Sequence, residues 1–306
     1  MGYVLSRLLG VVLSVTVHGL DISLRRKTWI YKALVPFALR RYDRIICNSH
    51  STMGICLSLG VSKSKCAVVY PGVDTTKNGR SHVKSKARSL LHEHHQLPIK
   101  DHVVLVTVGR LVKRKGVAWF LENVFPRLTP DTNYIIVGNG PELKIIEALI
   151  ERNGWSGRVW VLQRANDSLR DLIYDAADLF VMPNIPIKGS WEGFGIVNIE
   201  AGMHDLPVVA SGIEGIREAI IDGETGRLVK ESDPASFLSA INELLSWDHE
   251  PGVISGKVAA AYNLEASGER YAELLGLRAT CSSVNEGANR SMGASAPGKI
   301  NGGDVQ

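Results

Sequence analysis

Two glutamates, Glu192 and Glu200, stand eight positions apart in the stretch SWEGFGIVNIEAG, on either side of a Gly-Phe-Gly turn. The apolar spacing after the turn predicts that Gly193, Phe194 and Gly195 lead from a loop into a helix. The first-turn amides of that helix, with the positive end of its dipole, make an anion site. Glu200 falls inside the helix and Glu192 in the loop before it, so the two carboxylates are not adjacent enough to share one proton. A carboxylate beside a bound phosphate repels it unless hydroxyl donors engage the carboxylate. The pattern therefore predicts a ligand with phosphates in its middle and sugar hydroxyls at both ends.

Two further loops carry matching chemistry. In GRLVKRKG, Gly109 permits a tight exit from a strand, Arg110 offers a planar fork suited to phosphate, and Lys115 is a mobile point charge just before a helix. In GNGPE, Gly138, Asn139, Gly140, Pro141 and Glu142 follow another strand, where two glycines let the backbone approach a flat ligand. Leu143 occupies the position where a dinucleotide GxGxxG needs glycine, which removes the support for a nicotinamide enzyme. GVISGK is one residue short of a P-loop and follows no strand. No His, Cys or Asp grouping has metal-ligand spacing, so the site is expected to hold no metal, and a leaving diphosphate would be neutralised by Arg110, Lys115 and the helix N-terminus. A cofactor is not expected either.

These loops need a frame, and the period of the apolar residues describes one. Continuous apolar runs of strand length, VVLVTV, NYIIVG, RVWVL, DLFVMP, PVVAS and GRLV, alternate with segments of helical spacing. Strands too apolar for a solvated face, alternating with helices, imply an α/β fold with a parallel sheet covered on both sides. GIREAII and the run AAAYNLEASGERYAELLG are each expected as one helix. In such sheets ligands bind beyond the carboxyl ends of the strands, where all three loops fall. Ahead lie VVLSVTV, DRIICNS and KCAVVYPG as strands and TWIYKALVPFALRRY and HSTMGICLSLG as helices, a set too thin to cover its own sheet. DTTKNGRSHVKSKARS has the composition of a linker running into the first helix of the second domain, and the Gly/Ser/Asn-rich end of the chain is expected to be disordered.

With 306 residues, 45% of them hydrophobic, the chain can bury two cores, and a net charge of +4 is too small to argue for nucleic acid. Cys47, Cys56, Cys66 and Cys281 form no CxxC pair, which favours reduced thiols in the cytoplasm. Arg7 interrupts the apolar start, and no cleavage site follows, so a short helix and a buried strand are expected there rather than a signal peptide.

In this order and spacing, GRLVKRKG, GNGPE, EGFGIVNIEAGMHDLPVVAS and EGIREAIIDGETGRLV resemble the C-terminal domain of family 4 glycosyltransferases, retaining sugar-nucleotide enzymes of the GT-B fold. VTVHGLD and YDRIICNSHSTMGICLSLGVSKSKCAVVYPGVD resemble the second half of their N-terminal domain. The resemblance implies two Rossmann-like, doubly wound domains. Residues 1–75 would form an incomplete N-terminal, acceptor-side domain and residues 76–256 the nucleotide-sugar domain. Residues 257–278 would be a helix crossing back, and 279–306 a disordered tail. Arg217 and Asp205 depart from the family's usual proline and glycine.

Roles follow from the same resemblance. Arg110 and Lys115 would hold the diphosphate and stabilise its growing charge. Gly193, Phe194, Gly195 and Ile196 would contact phosphate and donor sugar, Glu192 the sugar hydroxyls and Glu200 the ribose. The base would lie against residues 138–142 and Gln163 and Arg164, and His18 would line the reaction site. The implied activity is hexosyl transfer from a UDP- or GDP-sugar to a glycan, lipid-linked or small-molecule acceptor. A nucleotide-sugar-binding module without turnover is the alternative. Ten Lys+Arg against three Asp+Glu in residues 1–75 leave peripheral membrane contact as a further expectation, against an ordinary packed helix at TWIYKALVPFALRRY.

Overall fold

The structure, a computed structural model, describes residues 2–23, 28–77, 82–99 and 101–277. The tail expected at 279–306 lies outside these residues. Among them no helix is long and apolar enough to cross a membrane.

The first lobe opens with α1 (Gly2–Leu9) and β1 (Ser14–Val17), then α2 (Trp29–Leu39), β2 (Arg44–Cys47), α3 (His50–Ser58) and β3 (Cys66–Val68). Its three strands run parallel in the order β1-β2-β3, with Ile46 opposite Thr16 and Ala67. Ile45, Cys47, Cys56, Val17 and Val61 fill the core beneath α3. The packed helix expected at TWIYKALVPFALRRY differs. Only Leu39 of α2 is buried, while Trp29, Leu34 and Phe37 are exposed beside the equally exposed Leu5 and Leu8 of α1.

The second lobe comprises α4 (Lys84–His95), β4 (Val103–Val108), α5 (Val117–Asn123), β5 (Thr132–Val137), α6 (Leu143–Arg152), β6 (Val159–Leu162), α7 (Asp167–Ala176), β7 (Leu179–Met182), α8 (Ile196–Met203), β8 (Val208–Ser211), β9 (Gly226–Val229) and α9 (Pro234–Leu245). Its parallel sheet has the order β6-β5-β4-β7-β8-β9, so the direction of winding reverses between β4 and β7. One layer of side chains (Val104, Val106, Ile135, Phe180) packs under α4 and α7, and the other (Leu105, Ile136, Leu179, Val209) under α5, α6 and α9. Burial on both faces is why these strands read as unbroken apolar runs.

The basic stretch runs into a helix: KSKARS begins α4, where its charges meet acids of the second lobe. Lys84 Nζ lies 2.7 Å and Arg88 Nη2 2.6 Å from the Asp178 carboxylate, and His82 donates its backbone N–H to buried Asp175. GIREAII forms only a short 3-10 turn, Glu214–Glu218, since Gly215 is pressed against Gly193 and Ile216 and Ala219 turn inward. The last helical run is broken into α10 (Val253–Ala261) and α11 (Leu264–Leu275), so residue 257 falls within α10. Tyr262 leaves helical geometry to place its ring against Phe194 and Tyr70, and the Asn263 side chain caps α11. There α11 meets the first lobe, with the Val73 N–H bonded to the Tyr262 carbonyl at 2.8 Å and Ser267 Oγ to the Tyr70 carbonyl at 3.0 Å.

Candidate functional site

The exit loops of β4 and β7 face each other where the winding reverses. The β4 loop makes a 3-10 turn, Lys113–Lys115, and ends at Gly116, where a Cβ would fall 1.9 Å from the Pro183 carbonyl oxygen. Ile185 N–H bonds the Arg114 carbonyl at 2.9 Å, zipping the two loops together. This close approach turns the Arg114 and Lys115 side chains toward the β7 loop. Lys115 Nζ lies 2.8 Å and Arg114 Nε 3.4 Å from Oε2 of Glu192, and Asn184 Nδ2 donates to the same oxygen at 3.3 Å.

Glu192 is largely buried, which by itself would raise its pKa, but the Lys115 and Arg114 charges and the Asn184 amide offset this and leave it below the usual carboxylate range. It is therefore an ionised hydrogen-bond acceptor at neutral pH. Its neighbour Glu214 goes the other way. Burial and the charge of Glu192 raise its pKa, although it accepts the Glu192 backbone N–H. Glu214 is also held at φ 49°, in the left-handed region.

Gly193 lies where three segments cross. A Cβ on Gly193 would fall 2.0 Å from the His18 carbonyl oxygen of the first lobe, and a Cβ on Gly215 would fall 1.8 Å from the Gly193 carbonyl oxygen. Phe194 is buried, stacked on Tyr70 at 5.5 Å and edge-on to Tyr262 at 5.7 Å, so its ring joins the lobes and only its backbone faces the site. Gly195, at φ 81°, caps α8 without a side-chain bond, leaving first-turn amides for a ligand. Beside it, the buried Asn198 amide has no partner among the described residues, nor does Asn184 Oδ1.

The structure thus brings Lys115, Glu192 and Gly193–Gly195 together, with Gly109 beside the Lys115 stem. Arg110 stands exposed on the same loop. Glu200 does not face Glu192 directly. With Ile196, Arg170, Asp171 and Tyr174 it lines a hollow of about 290 Å³, its Oε2 3.5 Å from the Tyr174 hydroxyl. Gln163 and Arg164 are exposed on the β6 exit, Gln163 reaching Glu147 at 3.4 Å. His18 is exposed at the end of β1, its backbone N–H held by Asp21.

The expectation for Gly138 and Gly140 changes. A Cβ at either would collide with the chain itself, 1.9 Å from the Gly109 carbonyl oxygen and 2.3 Å from that of Leu111. Glycine is required there because the β4 and β5 exit loops pack on each other. Asn139 Oδ1 accepts the Gly140 N–H, Pro141 is exposed, and Glu142 caps α6.

Sequence reasoning missed Arg114, Asn184, Glu214 and Glu218. Asn184, a polar residue right after a buried strand, carried a readable signal. The role of Glu218 has none locally, for its carboxylate crosses to the first lobe and accepts the backbone N–H groups of His50 at 2.7 Å and Ser51 at 2.9 Å.

The family model described as Glycosyl transferases group 1 matches residues 102–246, and that described as Glycosyltransferase Family 4 matches residues 1–77. The GDP-mannose-dependent alpha-(1-6)-phosphatidylinositol monomannoside mannosyltransferase of Mycolicibacterium smegmatis is 32% identical over 214 residues, 67% of this chain and 54% of that protein. The UDP-Gal:alpha-D-GlcNAc-diphosphoundecaprenol alpha-1,3-galactosyltransferase of Escherichia coli is 30% identical over 252 residues, 79% of this chain and 62% of that protein. The chain thus spans little more than half the length of these relatives. Among solved structures, Anabaena Alr3699/HepE in complex with UDP and glucose superposes with a TM-score of 0.76 at 22% identity, covering 90% of this chain and 74% of that one, a likeness of fold. The fold is of the GT-B type. With both lobes matched in order, the chain belongs to the family 4, group 1 glycosyltransferases.

Proposed function

We propose that the chain transfers a hexosyl group from a nucleotide-diphosphate sugar to an acceptor hydroxyl with retention at the anomeric carbon. The observation that carries this reading is the ionised Glu192 carboxylate held by Lys115, Arg114 and Asn184 at the switch point, next to the uncapped N-terminus of α8. A diphosphate entering here meets Arg110, Lys115 and the α8 amides. The sugar's hydroxyls donate to Glu192, whose one oxygen already takes all three protein donors, and to Asn184 Oδ1, which lacks a partner. Glu200 accepts the ribose hydroxyls, and the base lies toward Gly138–Glu142, Gln163 and Arg164.

The bond from the anomeric carbon to the diphosphate oxygen breaks with its electron pair going to the diphosphate. The acceptor oxygen bonds the same face of that carbon, and its proton passes to the departing phosphate oxygen. The protein's part is electrostatic. Lys115, Arg110 and the helix dipole stabilise the leaving charge, and closure of His18 and its lobe over Gly193 excludes water.

UDP- and GDP-sugars are expected to raise the melting temperature, and Glu192→Ala or Arg110→Ala to remove that rise. Product analysis by nuclear magnetic resonance then reads the anomeric configuration. No shift with any sugar nucleotide would falsify the reading, whereas binding without transfer to any acceptor would leave a nucleotide-sugar-binding module. The free thiols of Cys47, Cys56 and Cys66 support a reducing, cytoplasmic setting. The exposed apolar residues of α1 and α2, beside Arg7 and Arg41, support peripheral contact with an anionic membrane, which vesicle sedimentation tests.

A further inference from the structure

The exit loop of β8 runs against the exit loop of β7, and two of its residues hold the backbone of Glu192. The Glu214 carboxylate accepts the Glu192 N–H, and the Gly215 N–H donates to the Glu192 carbonyl at 3.1 Å. The peptide groups on both sides of the Glu192 Cα are thus bonded to the β8 exit. The Glu192 carboxylate is held separately, by Lys115 and Arg114 from the β4 exit and Asn184 from the β7 exit.

This bracket is costly at Glu214. Its φ of 49° lies in the left-handed region, which a side chain disfavours. Burial and the charge of Glu192 push its carboxyl above the usual range. It is not there to fill a core, since hollows of about 830 Å³ and 550 Å³ border it. Glycine would take the turn without strain, and an uncharged residue would avoid the buried charge, so neither the turn nor the packing accounts for a glutamate. What the glutamate adds is an acceptor for the Glu192 N–H, which has no other partner among the described residues. Strain and a disfavoured charge, kept beside a candidate ligand site, mark a residue retained for function rather than stability.

We propose that Glu214 is a positioning residue, which by bonding the Glu192 N–H fixes the backbone from which the Glu192 carboxylate reaches the donor sugar. This role belongs to the transferase reading above and rests on it. Its effect passes through Glu192, so it falls on the sugar and spares the nucleotide, whose diphosphate meets Arg110, Lys115 and the α8 amides.

The test uses the full chain in calorimetric titrations with UDP-glucose against UDP and GDP-mannose against GDP. The ratio of the two affinities in each pair isolates the share of the sugar. Glu214→Gly deletes the side chain and accepts the same φ freely. It should lower the ratio about tenfold, the worth of one hydrogen bond to a charged acceptor, and leave the bare nucleotide within about twofold of wild type. Glu214→Gln keeps an acceptor oxygen and should restore most of the ratio. A residue that only shaped the turn would weaken both ligands alike or neither. An unchanged ratio in Glu214→Gly, or an equal loss for sugar nucleotide and nucleotide, therefore overturns the assignment. Amide hydrogen exchange gives a second reading that needs no ligand. The Glu192 N–H should exchange faster in Glu214→Gly and close to the wild-type rate in Glu214→Gln, and an unchanged rate in the glycine variant also overturns the assignment. If no sugar nucleotide binds the wild type, the donor reading falls, and the exchange rate still decides whether Glu214 holds Glu192.

Discussion

Removing the Glu218 carboxylate is expected to loosen the two lobes and weaken donor binding with them. In α3 the first-turn amides are capped from two sources. Ser49 Oγ accepts the Thr52 N–H at 3.0 Å, while Glu218, from the second lobe, accepts those of His50 and Ser51 and also the Tyr70 hydroxyl at 3.1 Å. A carboxylate at a helix N-terminus gains from the dipole as well as from the bonds. Charge-assisted bonds of this kind are worth about 1.5–3 kcal/mol each, but His50 is largely exposed, so water partly replaces the lost acceptor. The net cost of Glu218→Ala is therefore about 2 kcal/mol, a fall of about 3 °C in Tm for a chain of this size. If donor binding needs the lobes together, the same loss lowers UDP-sugar affinity by up to about thirtyfold. Circular dichroism melts and calorimetric titration read the two effects. His50→Pro, compared with His50→Ala, isolates the cause. Both remove the imidazole, whose Nδ1 lies 2.9 Å from Glu218 Oε2, and only proline also removes the donor N–H, at a first helical position where it is tolerated and Ser49 before it is already extended. Glu218→Ala and His50→Pro should be strongly non-additive in a double-mutant cycle. Additive effects, or a Tm for Glu218→Ala equal to wild type, would refute the interlobe capping.

Glu192 has a folded pKa below its ordinary value near 4.5, so its stabilising pair with Lys115 is fully present above that value and is lost as the pH falls through the folded pKa. Glu192→Gln should lower Tm at pH 7, and the deficit should close in acid; a deficit constant with pH would count against the pairing. Glu214 is raised, so the sign reverses. Its contribution is present below about 4.5 and lost as the pH rises through the folded pKa, and Glu214→Gln should melt higher than wild type at neutral pH with no gain in acid. Asp205 sits at φ 57° and accepts the backbone N–H groups of Gly252 at 2.8 Å, Ile254 at 3.0 Å and Ser255 at 3.1 Å, capping α10. Asp205→Ala loses those bonds and strains the left-handed backbone, so a cost of about 2–4 kcal/mol is expected in a chemical-denaturation curve.

Most of the second lobe was legible from sequence because its strands are buried on both faces, so a change of period marked a real element almost everywhere, with GIREAII the exception. Lys115 and Glu192 were recoverable for the same reason. Residues just after buried parallel strands gather at one edge, and these two flank the switch point. What failed to show depends on partners distant in sequence. KSKARS read as a linker running into a helix, but nothing near it in sequence foretold Asp178, some ninety residues on, which neutralises it. Glu218 looked like one more helix acid because its partners lie 168 and 167 residues away. Composition likewise misread α2, of whose apolar residues only Val35 and Leu39 reach the core of the first lobe. The glycines of GNGPE also have a packing reason that the sequence alone did not show, the close approach of the neighbouring loop.

The spacing of Glu-Gly-Phe-Gly has an explanation that does not pass through the ligand's side-chain contacts. Gly193 is small because the His18 carbonyl and the Gly215 backbone press on it from two segments. Phe194 is aromatic because Tyr70 of the first lobe and Tyr262 before α11 enclose its ring. Gly195 takes the left-handed turn that starts α8. Each residue therefore serves lobe docking or helix entry, and together they fix the backbone that carries Glu192 at one end and the α8 amides at the other. A movement of the first lobe is felt at Gly193 and Phe194, immediately beside Glu192. On the donor reading proposed above, closure and donor grip become one mechanical event, since the segment that seals the lobes is also the segment that carries Glu192.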